Sequence, residues 1–297
     1  MKRVLFIYNP QAGQIQIKSQ LWDIFNVLAD AEYEVTVRPT RRAKEAYAIA
    51  KERAKEFEEI ICSGGDGTLN EVVSGLLEVP QNERPVLGYI PAGSTNDYAY
   101  SLKLPRNMRK AAETVVQGKS RSVDIGSLNN RIFVYVAAFG LFSEVSYETD
   151  QQMKNMLGHF AYVIEGALSL SSVKSYHLKV SVDDEVHEAN YIYGMVTNSL
   201  SVGGIYRMSE SDVSLDDGEF EVLLVKEPKT LEDFVSITDF FTDVKSMVPT
   251  EMVESFHCRK LKIESSEEVK WALDGEDGGA TKCAEFEVLE KAIRIIC

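Results

Sequence analysis

The sequence predicts two domains, an α/β domain built on a parallel sheet followed by a mostly antiparallel, β-sandwich-like domain. Three observations carry that prediction. In residues 1–125 short apolar runs alternate with helix-length amphipathic stretches, the rhythm of strand–helix–strand units. In the later half the rhythm becomes that of strands joined by tight turns. Charge steps near residue 125: residues 1–125 carry +1 and residues 126–297 carry −15, which together make the −14 of the 297-residue chain. The boundary is placed there, giving domains 1–125 and 126–290.

In the first domain Val4 to Tyr8, Tyr33 to Val37, Glu59 to Cys62 and Pro85 to Ile90 read as strands. Ile17 to Ala29 and Ala43 to Phe57 have the apolar spacing of helices. Wholly apolar strands alternating with helices imply a parallel sheet covered on both faces. In the second domain Tyr176 to Val182, Asp183-Asp184 and Val186 to Thr197 read as a hairpin. Phe220 to Val225, Phe256 to Glu264, Val269 to Leu273, Phe286 to Leu289 and Ile293 to Ile296 read as further strands, and Phe160 to Leu170 and Leu231 to Phe241 as helices. The runs Asp183-Asp184-Glu185 and Glu264 to Glu268 read as solvated turns. The apolar run Ile132 to Phe142 reads as one buried strand continuing past Gly140; its side chains could also line an acyl-chain pocket.

Composition narrows the function classes. With 44% apolar and 26% charged residues the chain is neither disordered nor fibrous. Its net charge argues against a general nucleic-acid binder, which needs clustered Lys and Arg. The run Val4 to Tyr8 is too short for a signal peptide, and eleven apolar residues at Ile132 to Phe142 make about half a membrane span. Cys62, Cys258, Cys283 and Cys297 are too far apart for a zinc site or disulfide framework, and the four histidines lack metal-ligand spacing. The expected location is the cytoplasm.

Chemistry concentrates where the first domain's strands end. Gly64-Gly65-Asp66-Gly67-Thr68 joins a strand to a run with helical spacing, Leu69, Val72, Val73 and Leu76. Glycines let the backbone approach a phosphate, and the following helix offers unpaired N–H groups and a positive dipole end. On this reading a Cβ at Gly65 would occupy space the phosphate needs. Asp66 would repel a bare phosphate, so it points to a bridging divalent cation or a proton-accepting role; the alternative is a tight turn in which Asp66 and Thr68 are caps. Asn9-Pro10-Gln11-Ala12-Gly13-Gln14 and Pro91-Ala92-Gly93-Ser94-Thr95-Asn96-Asp97 fall at equivalent strand ends, where ligands of open α/β sheets bind. Neither a Rossmann nor a Walker pattern occurs.

These motifs, with Leu69-Asn70-Glu71 and the later Leu273-Asp274-Gly275-Glu276, make the chain resemble the bacterial diacylglycerol kinase and lipid kinase family over nearly its whole length. The resemblance implies a two-domain, ATP-dependent lipid kinase, with an α/β nucleotide domain, a β-rich lipid domain, and a C-terminal strand, about 291–297, returning to the first domain. It implies that Asn9, Ala12, Gly13, Gln14 and Thr40 line the nucleotide, with Gly64, Gly65, Asp66, Gly67, Thr68, Leu69 and Asn70 and with Gly93, Ser94, Thr95 and Asn96. Gln14 departs from the basic residue often found at its place, which leaves phosphate binding there to backbone N–H groups, Lys18 or arginines elsewhere.

Asp66 and Asp97 would belong to a magnesium-organising acidic network. In the segment Ser214 to Phe220 the resemblance implies a structural magnesium on Ser214, Asp217 and the carbonyl of Glu219; the residues alone read equally as an Asp-Asp-Gly turn. Asp66, Asp97 and Asp217 sit on different loops, and a metal is the expected means of their convergence. Glu276, by resemblance, is the base that takes the proton from the lipid hydroxyl, and Asp66 is a second catalytic carboxylate.

Expected partners are therefore ATP, Mg2+ and a membrane lipid, with transient membrane-surface association and no nucleic acid. Arg38, Arg41, Arg42 and Lys44 form a helix-entry cluster or a phosphate contact; Lys103, Arg106, Arg109 and Lys110 could meet an anionic membrane surface. Edge strands of the second domain could pair as a homodimer. Diacylglycerol is the expected substrate; alternatives are a kinase for phosphatidylglycerol or a sphingoid base, an NAD kinase-like enzyme, and a non-catalytic nucleotide-binding regulator.

Overall fold

A computed structural model describes residues 1–140, 174–202, 206–207, 213–242 and 250–297. The stretch Phe160 to Leu170, read above as a helix, lies outside the described residues. The chain divides into two compact units, Met1–Ile125 with Glu290–Cys297, and Gly126–Leu289.

The first unit alternates strands and helices: β1 (Lys2–Tyr8), α1 (Gln16–Asp30), β2 (Tyr33–Pro39), α2 (Glu45–Arg53), β3 (Glu59–Gly64), α3 (Asp66–Leu77) and β4 (Val86–Pro91). Two short helices follow, α4 (Asp97–Ser101) and α5 (Met108–Gln117). The pairings among β1 to β4 are parallel, β1 between β2 and β3 and β3 beside β4, and Ile295 near the C-terminus lies parallel to Leu87 of β4. The strands are apolar because both faces are covered: Val4, Leu5, Phe6 and Ile7 are fully buried. On one face α1 presents Ile17, Ile24 and Leu28, and α5 presents Met108, Ala111, Ala112 and Val115, to one core with Phe6, Ile61 and Ile90. Helix α5 starts cleanly because Asn107 accepts a hydrogen bond from the Lys110 N–H at 3.0 Å.

In the second unit the chain forms β6 (Arg131–Phe133) and β7 (Val136–Gly140), preceded by the end of β5 (Ser120–Leu128). Then come β8 (Tyr176–Val182), β9 (Glu185–Thr197), β10 (Ser201–Val202), β11 (Tyr206–Arg207), β12 (Phe220–Lys226), α6 (Leu231–Thr242), β13 (Val253–Cys258), β14 (Lys260–Leu273) and β15, whose full extent is Glu276–Ile296. Pairing within the unit is antiparallel. Long strands β9 and β14 each pair with β8 at one end and β7 at the other, so the sheet closes on itself like a sandwich with shared strands. The core inside holds Phe133, Phe139, Tyr176, Tyr191, Trp271 and Phe286.

Four local expectations change. The run Ile132 to Phe142 is not one strand in its described part: it breaks between Phe133 and Val136, where backbone N–H groups turn to a carboxylate described below. Phe256 to Glu264 breaks at Arg259, because the Arg259 and Lys260 N–H groups both donate to Asp183 Oδ1 (3.1 and 2.9 Å). Glu264 to Glu268 is no turn; it is a solvated irregularity inside β14, where the register to β15 shifts between Glu264 and Val269. Phe286 to Leu289 and Ile293 to Ile296 belong to one strand, with Lys291 at φ 49° and its N–H on Asp124 Oδ1 at 2.6 Å.

Candidate active site

In the first unit the strand order β2-β1-β3-β4 reverses direction at β1, since the chain goes to one side for β2 and to the other for β3. Ligands of doubly wound sheets bind outside the carboxyl ends of the strands at such a switch point. The Asn9 and Gly64 loops leave β1 and β3 there. Asn9 ties them together: its N–H donates to the Ser63 carbonyl at 3.0 Å, and its Nδ2 donates to Thr68 Oγ1 at 3.4 Å. Its own loop is held by the Gln11 N–H on Asn9 Oδ1 (2.9 Å) and the Ala12 N–H on the Asn9 carbonyl (3.1 Å). Ala12 is buried, Gly13 takes φ 56°, and Gln14 lies in the short 3-10 turn Ala12–Ile15. Thr40, at the end of β2, is fixed by its N–H on the Tyr8 carbonyl at 2.8 Å. Thr40 thus stands at the same strand edge.

Helix α3 begins directly at Asp66 with Gly65 as its N-cap, and no side chain caps it. Its first turn therefore leaves backbone N–H groups for a ligand, and the helix dipole favours an anion. The Gly65 turn meets the Gly93 loop backbone to backbone. A Cβ on Gly65 would lie 3.3 Å from Gly93 Cα, and one on Gly93 would lie 2.6 Å from Gly65 Cα. The missing side chain at Gly65 makes room for Gly93. Asn96, in the left-handed region at φ 56°, locks that second loop by accepting from the Gly93 N–H (2.9 Å) and donating to the Gly93 carbonyl (2.7 Å). Beneath them the Tyr89 hydroxyl lies 3.3 Å from the Gly64 carbonyl and 3.4 Å from Asn96 Oδ1. Burial first, and then the nearby Asp66, Cys62 and Asp97, push the Tyr89 phenol well above its ordinary range, so it stays a neutral donor.

The Asp66 carboxylate accepts from the backbone N–H groups of Asp97 (3.2 Å) and Tyr98 (3.4 Å), at the start of α4. Its negative charge is thereby directed to another helix start, which relieves the conflict with a phosphate at α3. Asp66 and Asp97 meet through the Asp97 backbone N–H. Asp97 itself is 2% exposed. Leu69 is fully buried in the core, and Asn70 Oδ1 accepts from Ser74 Oγ within α3 at 3.3 Å. Ser94 is exposed, and Gly67, Thr68 and Thr95 are half-buried.

Sequence reading missed the residues that brace these loops. Glu71 accepts from the N–H groups of Lys44 (2.7 Å) and Ala46 (3.0 Å), holding the start of α2 against α3. The helix-entry reading of the cluster around Lys44 gains from this contact.

In the second unit Asp274 and Gly275, at φ 50° and 82°, form the two-residue turn joining β14 to β15. Positive φ at both centres is the Asp-Gly hairpin signature. The Asp274 carboxylate is buried and accepts three backbone N–H groups, from Val134 (2.7 Å), Tyr135 (3.0 Å) and Val136 (3.1 Å). This is what interrupts the strand run from Ile132. In return the Asp274 N–H donates to the Val136 carbonyl at 2.9 Å. Glu276, paired with Leu273 across the turn, is exposed. Asp274 therefore fixes the turn that presents Glu276.

The Asp217 turn is closed by Asp217 Oδ1 accepting the Glu219 N–H at 3.1 Å, while Ser214 Oγ donates to Asp216 at 3.0 Å and Glu219 pairs with Arg259 at 3.1 Å. Among the described residues no group of three His, Cys, Asp or Glu is arranged to hold a metal. No described helix is long and apolar enough to cross a membrane.

Residues 3–128 match the family model of the diacylglycerol kinase catalytic domain, and residues 136–297 match that of the YegS C-terminal NAD kinase beta sandwich-like domain. Over 298 residues the chain is 35% identical to a diacylglycerol kinase of Bacillus subtilis, covering 100% of this chain and 96% of that one. The chain belongs to the diacylglycerol kinase family. It is thus an ATP-dependent lipid kinase. A diacylglycerol kinase of Staphylococcus aureus is 34% identical, over 99% of this chain and 92% of its own. A diacylglycerol kinase from Bacillus anthracis, solved by crystallography, is 29% identical and superposes with a TM-score of 0.80, over 99% and 96% of the two chains.

Proposed function

We propose that this kinase transfers the γ-phosphate of ATP to the free hydroxyl of diacylglycerol, giving phosphatidic acid and ADP, with magnesium as the accompanying cation. The observation that carries the reading is the crevice of the first unit, an uncapped helix start flanked by glycine-bearing loops at the switch point. A triphosphate fits there because the backbone N–H groups of Gly65, Gly67 and Thr68 and the turn at Gly13 offer donors, while Asp66 is engaged at α4. Asn9, Thr40, Ser94 and Thr95 would line the rest, with Asn96 holding the loop behind them.

Phosphoryl transfer asks the protein mainly for positioning and a proton acceptor. The lipid hydroxyl oxygen forms a bond to the γ-phosphorus as the bond to the β-phosphate oxygen breaks and ADP leaves. Glu276 accepts the hydroxyl proton, with the Asp274 turn fixing its place. Asp66 acts as a positioning residue, through its bonds to Asp97 and Tyr98. Magnesium, when bound, would offset the phosphate charge; Asp217, Ser214 and the Glu219 carbonyl would offer hard oxygen donors in the second unit, and Asp97 is an acidic residue of the first unit that could serve the same cation chemistry. The enzyme works as a peripheral protein on the cytoplasmic face of the membrane that holds its substrate.

The test is transfer from γ-labelled ATP to a panel of diacylglycerol, monoacylglycerol, phosphatidylglycerol, sphingosine and NAD. Label in phosphatidic acid is expected. Label confined to another acceptor overturns the substrate assignment.

A further inference from the structure

The Glu276 carboxylate is exposed, and among the described residues no hydrogen bond or ion pair holds it, so its aim is set by its backbone. That backbone is irregular on both sides. Before Glu276 stands the Asp274-Gly275 turn; after it, Ala272 pairs with Asp277 but Trp271 pairs with Gly279, which leaves Gly278 as an extra residue in β15. A β-bulge of this kind bends its strand and re-aims the neighbouring side chains. Glycine is required there: a Cβ on Gly278 would lie 2.7 Å from the Trp271 carbonyl oxygen, and Gly279 takes φ 80°.

One short segment grips both irregularities. The N–H groups of Val134, Tyr135 and Val136 hold Asp274 on one side of Glu276. On the other side Arg131 donates from Nη2 to the Asp277 carbonyl at 2.7 Å, and its Nη1 stands over the bulge, 3.0 Å from the place a Cβ on Gly279 would take. The segment is itself tied to β15 further along, through Asn129 in the turn between β5 and β6. Asn129 donates its N–H to the Glu285 carbonyl (3.0 Å) and its Nδ2 to the Cys283 carbonyl (2.8 Å), and its Oδ1 accepts the Glu285 N–H (2.9 Å). Arg131 therefore reaches Asp277 from a fixed base.

We propose that Arg131 is a positioning residue of the phosphoryl transfer: by holding the Asp277 carbonyl beside the Gly278 bulge, it fixes the direction in which Glu276 points. The proposal rests on the reading of Glu276 as the base. Arg131 is exposed and its bond replaces one to water, so it adds little to folding stability. Its effect lies in the geometry of the base, where a misplacement near 1 Å costs about 100-fold.

The test is a double-mutant cycle in the full chain, read by transfer of label from γ-labelled ATP to diacylglycerol in detergent micelles. Arg131→Gln should lower kcat about 10- to 100-fold, with the lipid KM, ATP affinity and melting temperature of wild type. In the Glu276→Gln background the same substitution should change transfer by less than about twofold, since a brace has no effect once the group it aims no longer takes the proton. Gly279→Ala, which strains the φ of 80° and crowds Arg131 Nη1, should reproduce the kcat loss through the backbone. Wild-type kcat in Arg131→Gln overturns the proposal. An equal loss in both backgrounds also overturns it by showing a general structural role, and a raised lipid KM at wild-type kcat does so by showing a substrate contact; each of these leaves Glu276 as the base. Wild-type transfer by Glu276→Gln alone overturns the base and its brace together.

Discussion

Replacing Asp274 by Asn tests how the turn before Glu276 is held. Two carboxylate oxygens serve three N–H groups, one oxygen taking Tyr135 and Val136 and the other taking Val134. Asn keeps one acceptor oxygen and turns an NH₂ group toward the remaining N–H. If the oxygen stays with Tyr135 and Val136, Asp274→Asn loses a charge-assisted bond and orphans the Val134 donor, since the site is only 7% exposed. Such a loss amounts to about 2–4 kcal/mol. In a unit of this size that is a fall of about 5–15 °C in melting temperature. Activity should fall further than stability explains, because a shift near 1 Å at Glu276 costs about 100-fold in kcat. ATP affinity should be unchanged, since the crevice residues lie in the other unit. Calorimetric melting and steady-state kinetics with separate kcat and KM report each effect. Wild-type melting and kcat in Asp274→Asn would refute the claim that this carboxylate sets the turn.

Two further predictions concern the first unit. Gly93→Ala places a Cβ 2.6 Å from Gly65 Cα and 2.9 Å from Asn96 Oδ1; overpacking of this kind costs about 1–3 kcal/mol, and ATP affinity by titration calorimetry should weaken about tenfold or more, unchanged affinity arguing that the two loops do not jointly form the phosphate site. Glu59 is fully buried against Lys2, and burial raises its carboxyl above the ordinary range despite the opposing effect of Lys2. A raised folded-state pKa favours the protonated form, so its stabilisation is present below about pH 4.5 and is lost as pH rises through the folded value. The melting temperature of Glu59→Gln relative to wild type should therefore climb between about pH 4 and pH 7, and a flat difference would contradict the burial effect.

Much of this was legible in the sequence for a physical reason: the parallel sheet is buried on both faces, so β1 and β3 advertise themselves as unbroken apolar runs, and glycines mark the close approach at Gly64, Gly65 and Gly93. The second unit is harder to read. Periodicity cannot show that one carboxylate, Asp274, reaches back about 140 residues to divide Ile132 to Gly140 into two strands, nor that Asp183 breaks the run at Arg259. Motif residues also divide by role in a way their spacing conceals. Leu69, Asn70 and Asn96 belong to the same conserved-looking strings as Gly65 and Thr68, yet the first packs a core, the second bonds within its helix, and the third locks a loop. The hydrogen-bond partners of the Asp66 side chain, the Asp97 and Tyr98 N–H groups, are backbone atoms that a sequence does not display.

The central claim is that Glu276 takes the proton of a lipid hydroxyl while the first unit holds ATP. The most direct measurement is single-turnover transfer of label from γ-labelled ATP to saturating diacylglycerol in Glu276→Gln, paired with ATP affinity by calorimetry. Glutamine keeps the size and polarity of the side chain but is a far poorer proton acceptor, and general-base help is worth about 10²- to 10⁴-fold. The account predicts a transfer rate lower by that factor with wild-type ATP affinity. Transfer at the wild-type rate in Glu276→Gln would contradict it.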